Sequence, residues 1–245
     1  MIRFSIELAG TVYDLSCQFA STKAYCHAYL TNKAGGYAIV ISQIAIEAER
    51  RSSYEQDIRE HVQPTQYSDA YLETLALLRA IAEQAPSYDS FLFHCSAIMV
   101  DGKAYLFTAP SGTGKSTHAR LWREMLGDRA VMINDDKPFI RSEDGKFVVY
   151  GSPWNGKHGL GNPVSAPIAG ICWLQQAKEN QIHSISSSEA LTPLIAQCYI
   201  PKNPLGAVST LGLIDSLLKS VPVYRLDCNI SAEAAELSFS AMQSN

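Results

Sequence analysis

The sequence contains no apolar run approaching the ~20 residues needed to cross a bilayer as a helix. Its opening, M-I-R-F-S-I-E-L-A-G, places Glu7 where a signal peptide has an uninterrupted apolar stretch, so the expected location is the cytoplasm. Positive charge is not in excess. Twenty Lys and Arg stand against 24 Asp and Glu, net −4, which argues against a surface built to neutralise nucleic-acid phosphates or anionic lipid. No C-x-x-C pair occurs among Cys17, Cys26, Cys95, Cys172, Cys198 and Cys228, and several of these lie in apolar segments, so they are expected to be reduced and mostly packed. Internal repeats, low-complexity tracts and base-reading motifs are also missing. What remains is the composition of a globular protein: 245 residues, 47% hydrophobic, with 15 Gly and 11 Pro scattered along the chain, enough for one or two domains with a full core.

Hydrophobic patterning predicts strands over 2–8 and 11–17, and a longer one over 37–46. A polar stretch, 47–66, precedes a helix that opens at Ser68, places Tyr71, Leu75, Leu78 and Ala82 at helical spacing, and ends near Pro86. Residues 91–100 read as one apolar strand, Asp101-Gly102 as a hairpin turn and 104–108 as its partner. A helix to Leu126, a short strand over 131–134 and a hairpin around Asp144-Gly145 follow. Residues 151–167, G-S-P-W-N-G-K-H-G-L-G-N-P-V-S-A-P, form a loop longer than a connector requires. Beyond it lie strands at 168–174, 181–185 and 221–228, and helices from the capping box Ser186-x-x-Glu189 to about Tyr199, over 205–218 and over 231–242. The mixture predicts an α/β fold, a mixed sheet with flanking helices. Residues 1–90 form a β-rich N-terminal region with one helix, expected to pack on a catalytic domain, residues 91–245.

The chemistry concentrates at A-P-S-G-T-G-K-S-T, residues Ala109, Pro110, Ser111, Gly112, Thr113, Gly114, Lys115, Ser116 and Thr117. This fits the phosphate-binding pattern [AG]-x-x-x-x-G-K-[ST] and lies between a predicted strand and a predicted helix, as the pattern requires. Gly112 and Gly114 let backbone N–H groups turn inward toward phosphate, and the new helix aims its positive end at the same anion. Lys115 can reach the β- and γ-phosphates, and Ser116 offers Mg²⁺ a hard oxygen. About twenty residues on, Asp135 and Asp136 follow an apolar strand. Adjacent carboxylates repel unless a cation offsets them; one beside Mg²⁺ with the other beside an acceptor hydroxyl is what phosphoryl transfer requires. His94, in an apolar segment, reads by spacing alone first as a packed core histidine, with a proton-handling group as the alternative. In the glycine-rich loop, Lys157 and His158 could close over phosphate or read an acidic acceptor, and Trp154 could stack on it; a surface connector is the alternative. Arg120 reads as a surface or salt-bridge residue.

F-H-C-S-A-I-M-V-D-G-K-A-Y-L-F-T-A-P-S-G-T-G-K-S-T followed by M-I-N-D-D resembles the catalytic domain of HPr kinase/phosphorylase and its smaller kinase-like relatives, a family that shares its P-loop architecture with ATP-dependent phosphoenolpyruvate carboxykinase. The likeness covers residues 91–136, and G-S-P-W-N-G-K-H with A-P-I-A-G-I-C-W-L resembles the later loop and strand of the kinase-like relatives. It implies that fold, ATP and Mg²⁺. By the same resemblance His94 is the active-site histidine, Lys115 the P-loop lysine, Ser116 a magnesium ligand and Asp136 the acid that takes the acceptor proton. HPr kinase proper carries a magnesium-binding Glu after the Asp pair, whereas residues 145–178 here contain no acid, leaving the metal to Asp135 with Ser116.

The expected activity is therefore transfer of the ATP γ-phosphate to a hydroxyl, serine first, of a peptide or protein acceptor. A small-metabolite kinase, a carboxykinase-like enzyme and a nucleotide-sensing module without turnover are the alternatives. A homo-oligomer remains open.

Overall fold

A computed structural model describes residues 1–59, 63–156 and 158–243. The chain divides into two compact units, Met1–Gln84 and Ala85–Asn245.

The first unit is a four-stranded sheet with three helices. Strands β1 (Ile2–Leu8) and β2 (Thr11–Cys17) form a hairpin around Ala9-Gly10, both residues at positive φ, with β3 (Leu30–Thr31) and β4 (Tyr37–Val40) completing the order β3-β1-β2-β4. Helix α1 (Ala20–Tyr25) has no side-chain cap of its own. Instead Glu73 of α3 (Asp69–Gln84), fully buried, accepts from the backbone N–H groups of Gln18 and Phe19 and from the Thr22 hydroxyl, which satisfies both the carboxylate and the start of α1. The predicted strand over 37–46 ends at Val40, and α2 (Gln43–Arg59) occupies most of what read as a polar stretch. Its apolar residues follow no single face. It is held by charge, with Arg79 bonding Glu49 in bidentate fashion and Arg50 bonding Asp69, and by the Thr65 N–H donating to the buried Asp57 carboxylate.

In the second unit the sheet order is β5-β9-β10-β11-β7-β6-β8, with β13 beside β11 and β12 beside β13. The strands are β5 (Ser90–Leu92), β6 (Ser96–Val100), β7 (Lys103–Thr108), β8 (Ala130–Asn134), β9 (Phe139–Glu143), β10 (Lys146–Tyr150), β11 (Ser165–Gln176), β12 (Gln181–Ile185) and β13 (Val223–Cys228). Strands β7, β11 and β13 run parallel, and the rest pair antiparallel, so the sheet is mixed. Both faces of its centre are covered, which is why these segments read as continuous apolar runs. Ala97, Ala104, Leu106 and Ile171 face α5 (Ser187–Ile195) and α6 (Pro204–Ser220); Ile98, Tyr105, Phe107 and Cys172 face α4 (Lys115–Leu126) and α7 (Ala232–Gln243). The Ser186/Glu189 capping box starts α5, which stops at Ile195 rather than near Tyr199. Among the described residues no helix is long and apolar enough to cross a membrane. All six cysteines are free, and burial pushes the Cys17 and Cys26 thiols up to about 12.

Antiparallel pairing of β6 with both β7 and β8 fixes the position of everything that follows. Ser96 pairs with Phe107 and Ala97 with Asn134, so the start of β6 lies beside the ends of β7 and β8. The segment over 91–100 is not one strand: β5 ends at Leu92, β6 begins at Ser96, and His94 sits in the gap. There the chain turns aside to bond elsewhere, Phe93 N–H to Pro138 O, His94 N–H to Gln197 O and Thr108 Oγ1–H to His94 O.

One polar contact is built into the α4–α7 packing. Ser238 Oγ lies 2.9 Å from His118 Nε2 and accepts from Trp122 Nε1 at 2.8 Å, beneath Phe107. Burial lowers the His118 imidazole to about 4. The unfolded chain therefore binds a proton between pH 6.5 and 4 that the folded chain refuses, and stability falls as pH drops through that window. The full cost is about 3 kcal/mol. Urea unfolding followed by tryptophan fluorescence at pH 7 and pH 4 is expected to show a smaller loss in His118→Gln than in the parent. Equal pH dependence in the two would show that His118 is not protonated differently in the two states.

Candidate functional site

The residues singled out in the sequence come together at the edge where β7 and β8 end and β6 begins. After Thr108 the chain turns through Gly112 and Gly114, at φ 78° and 120°, into α4, whose first residue is Lys115. A positive φ of that size is ordinary only for glycine. Gly114 is the N-cap and supplies no side chain, so no side chain caps the first amides of α4, as an anion-binding helix start requires. Lys115 is buried and folds back on the loop, donating from Nζ to Ala109 O at 2.9 Å and Pro110 O at 3.4 Å. Burial, and Lys137 nearby, lower its pKa. The far wall of the loop is tied to β11 by Gln176 Nε2 donating to Thr113 O at 3.1 Å.

Opposite stand the two aspartates, and they differ in surroundings. Asp135 is buried, its Oδ1 accepting from Ser96 Oγ at 2.7 Å. Asp136 is half-buried; His94 Nε2 and Lys137 Nζ lie 3.2 and 2.5 Å from its Oδ1. Burial alone would raise the Asp136 carboxyl, but the His94 hydrogen bond and the Lys137 ammonium hold it down to about 2. Burial lowers His94 below the usual histidine range, with Lys137 and Lys115 adding to the shift and Asp136 opposing it. A carboxylate only accepts, so His94 carries its proton on Nε2 and leaves Nδ1 as acceptor.

The turn that bears the pair is organised by Asn134, which is fully buried. Its Oδ1 accepts from the N–H groups of Asp136 and Lys137, both at 2.8 Å, and its Nδ2 donates to Ser152 O and Oγ, both at 3.1 Å. Ser152 Oγ donates in turn to Lys137 O at 2.6 Å. Asn134, Ser96, Lys137 and Ser152 escaped the sequence reading. Each has a visible signal all the same, a polar residue at the end of an apolar run or beside the charged pair.

The glycine-rich loop ends earlier than expected, because β11 takes over at Ser165. Its limbs are pinned by Gly151 N–H to Val164 O and by Asn162 to Ile133 O and Met132 O. Trp154 is only 3% exposed and its carbonyl accepts from Lys137 N–H, so its indole is not open for stacking on a substrate. Lys157 lies outside the described residues. His158 is exposed and lines a cavity of about 360 Å³ together with Ser116, Asp135, Arg120 and Arg123. On the other flank of the loop a second cavity, about 410 Å³, is lined by Gly112, Gly114, Thr117, Leu121, Leu174, Gln176 and Asn229. It opens at the carboxyl ends of parallel strands β11 and β13, where α/β sheets bind ligands.

The donor set suits Mg²⁺ better than a dedicated metal cage. Among the described residues no three His, Cys, Asp or Glu side chains group to hold a metal. Ser116 and Asp135 do line one cavity, and one hydroxyl with one carboxylate is the sparse set that Mg²⁺ accepts when phosphates and waters complete its shell.

Fold and site together define a mixed α/β protein with a P-loop-type strand–loop–helix junction facing an Asp-Asp turn. The chain belongs to the ScmC family, described as "SynChlorMet cassette protein ScmC", whose profile matches residues 61–236. No curated protein matches it. Among solved structures it is similar to the Hpr(Ser) kinase/phosphatase from Coxiella burnetii, at 11% identity over 62% of this chain and 88% of that one, with a TM-score of 0.39.

Replacing Asn134 by alanine removes the acceptor of the Asp136 N–H and the donor to Ser152 O at once. Leaving such groups unpaired costs about 1–3 kcal/mol, so urea unfolding of Asn134→Ala is expected to show a loss of that size. A variant as stable as the parent would mean that the turn holds itself.

Proposed function

We propose that the chain is an ATP-dependent kinase that transfers the γ-phosphate to a hydroxyl, serine first, of a peptide or protein. One observation carries the reading: Lys115 and Ser116 at the head of α4 share an edge of the sheet with Asp135 and the Asp136–His94–Lys137 cluster. The resemblance to HPr kinase/phosphorylase over residues 91–136 supports the same assignment.

In this reading the amides around Gly112–Lys115 receive the β- and γ-phosphates, and Lys115 exchanges its two loop carbonyls for phosphate oxygens. The 410 Å³ cavity takes the nucleoside, its Leu121 and Leu174 offering apolar contact. Ser116 and Asp135 would hold Mg²⁺, which when bound neutralises charge on the phosphates. His94 and Lys137 both engage Asp136 Oδ1, so Oδ2 is assigned to the acceptor hydroxyl. A carboxyl held at about 2 is a weak base. That suffices here, because phosphoryl transfer depends on aligning the hydroxyl in line with the γ-phosphate more than on a strong proton acceptor. The neutral His94 keeps the carboxylate aimed.

Lys115→Ala is expected to weaken ATP·Mg²⁺ binding, measured by calorimetry, or to abolish ADP release. Asp136→Asn should keep ATP affinity and lose transfer by ~10²–10⁴, whereas Asp135→Asn should need more Mg²⁺ for the same rate. Unchanged affinity and turnover in Lys115→Ala would overturn the phosphate site, and identical Mg²⁺ responses in the two Asp variants would overturn the division of labour. ATP that binds without ADP release under any acceptor would favour the nucleotide-sensing module.

A further inference from the structure

Resting on the kinase reading, we infer that the 360 Å³ cavity receives the acceptor, and that this acceptor is an acidic peptide with a carboxylate two or three residues from the phosphorylated hydroxyl. Ser116 and Asp135 line this cavity and are absent from the lining of the other, so it is the cavity that opens on the metal and γ-phosphate side. Its remaining charged lining is basic, Arg120 and Arg123.

Ser116, Arg120 and Arg123 stand at i, i+4 and i+7 of α4, one face of the helix. At 1.5 Å per residue the two arginines lie about 6 and about 10 Å along the axis from Ser116. Helical side chains tilt toward the N-terminus, which brings both guanidinium groups back over the cavity. Asp136 is not in this lining but follows Asp135 directly in the turn, so a hydroxyl held at Asp136 enters at the Asp135 end. An extended peptide advances about 3.3 Å per residue, which carries a residue two or three positions on into the cavity toward the arginines. Arg120 now bonds Glu124 at 2.6 Å, but this is an exposed i,i+4 pair of the kind that contributes little, so a substrate carboxylate can replace it. Arg123 is half-buried and lines the cavity.

The probes are short labelled peptides with one serine and one glutamate two, three or six residues away, each with a glutamine counterpart. Their binding is read by anisotropy on protein saturated with Mg²⁺ and a non-hydrolysable ATP analogue. Glutamate at two or three residues is expected to bind about threefold tighter than glutamine, glutamate at six no better than its counterpart, and Arg120→Gln/Arg123→Gln to erase the difference. The preference of the parent protein is informative without any variant. An analogue that does not bind overturns the nucleotide reading and this inference with it. An analogue that binds while glutamate and glutamine peptides bind alike, or while the double variant keeps the preference, overturns this inference alone. Binding of a free hydroxy acid but of no peptide overturns the peptide assignment.

Discussion

The two hydrogen bonds from the N–H groups of Asp136 and Lys137 to Asn134 Oδ1 are the contact on which the site depends. They fold the chain sharply at the end of β8, so that Asp135 turns inward to Ser96 and Asp136 turns out to His94. Without that turn two adjacent carboxylates would continue along an extended strand, alternating between faces of the sheet. The same asparagine reaches Ser152 through its other amide end, so the turn and the root of the glycine-rich loop are one unit. Trp154 completes the arrangement with its carbonyl on Lys137 N–H, and its side chain is buried.

Around this turn the charges are sorted by what each touches. Lys115 and Lys137 both lower their neighbours' affinity for protons, and His94, crowded by burial and two ammonium groups, stays neutral. The result is an ionised Asp136 fixed by two donors on one oxygen and a lysine, Lys115, that donates to two carbonyls of its own loop. Lys115 in that state occupies carbonyls which are weaker partners than phosphate oxygens. A phosphate entering the P-loop gains a charge-assisted bond where the lysine had neutral ones, a difference that favours occupation.

Much of this could be read from the residues. The A-x-x-x-x-G-K-S pattern, the D-G turns and the strand-to-helix register depend on local backbone preference, and the local sequence states them. The break at His94 was hidden because Phe91, Phe93 and Cys95 are as apolar as a strand residue should be; only the tertiary bonds to Pro138, Gln197 and Thr108 pull the chain out of the ladder. Helix α2 was hidden for a different reason. Its stabilising contacts are the ion pairs of Glu49 with Arg79 and Arg50 with Asp69, made with residues about twenty to thirty positions away, so its own sequence carries no apolar stripe to announce it.

The difference between the two flanks of the P-loop follows from one helix. Residues three or four apart share a face of α4, so Ser116, Arg120 and Arg123 line one cavity while His118 and Leu121 line the other, with Thr117 between them at the edge of both. His118 can face inward only as a neutral ring, which Ser238 and Phe107 accommodate, and this keeps the second cavity free of cationic charge at its helix wall. A phosphate-binding loop placed between a cationic cleft and a largely uncharged one is directional. On the proposed reading an uncharged base would be accommodated on the apolar side and a group that carries its own negative charge would gain only on the side of the arginines, so one helix would both receive the phosphates and sort what lies to either side of them.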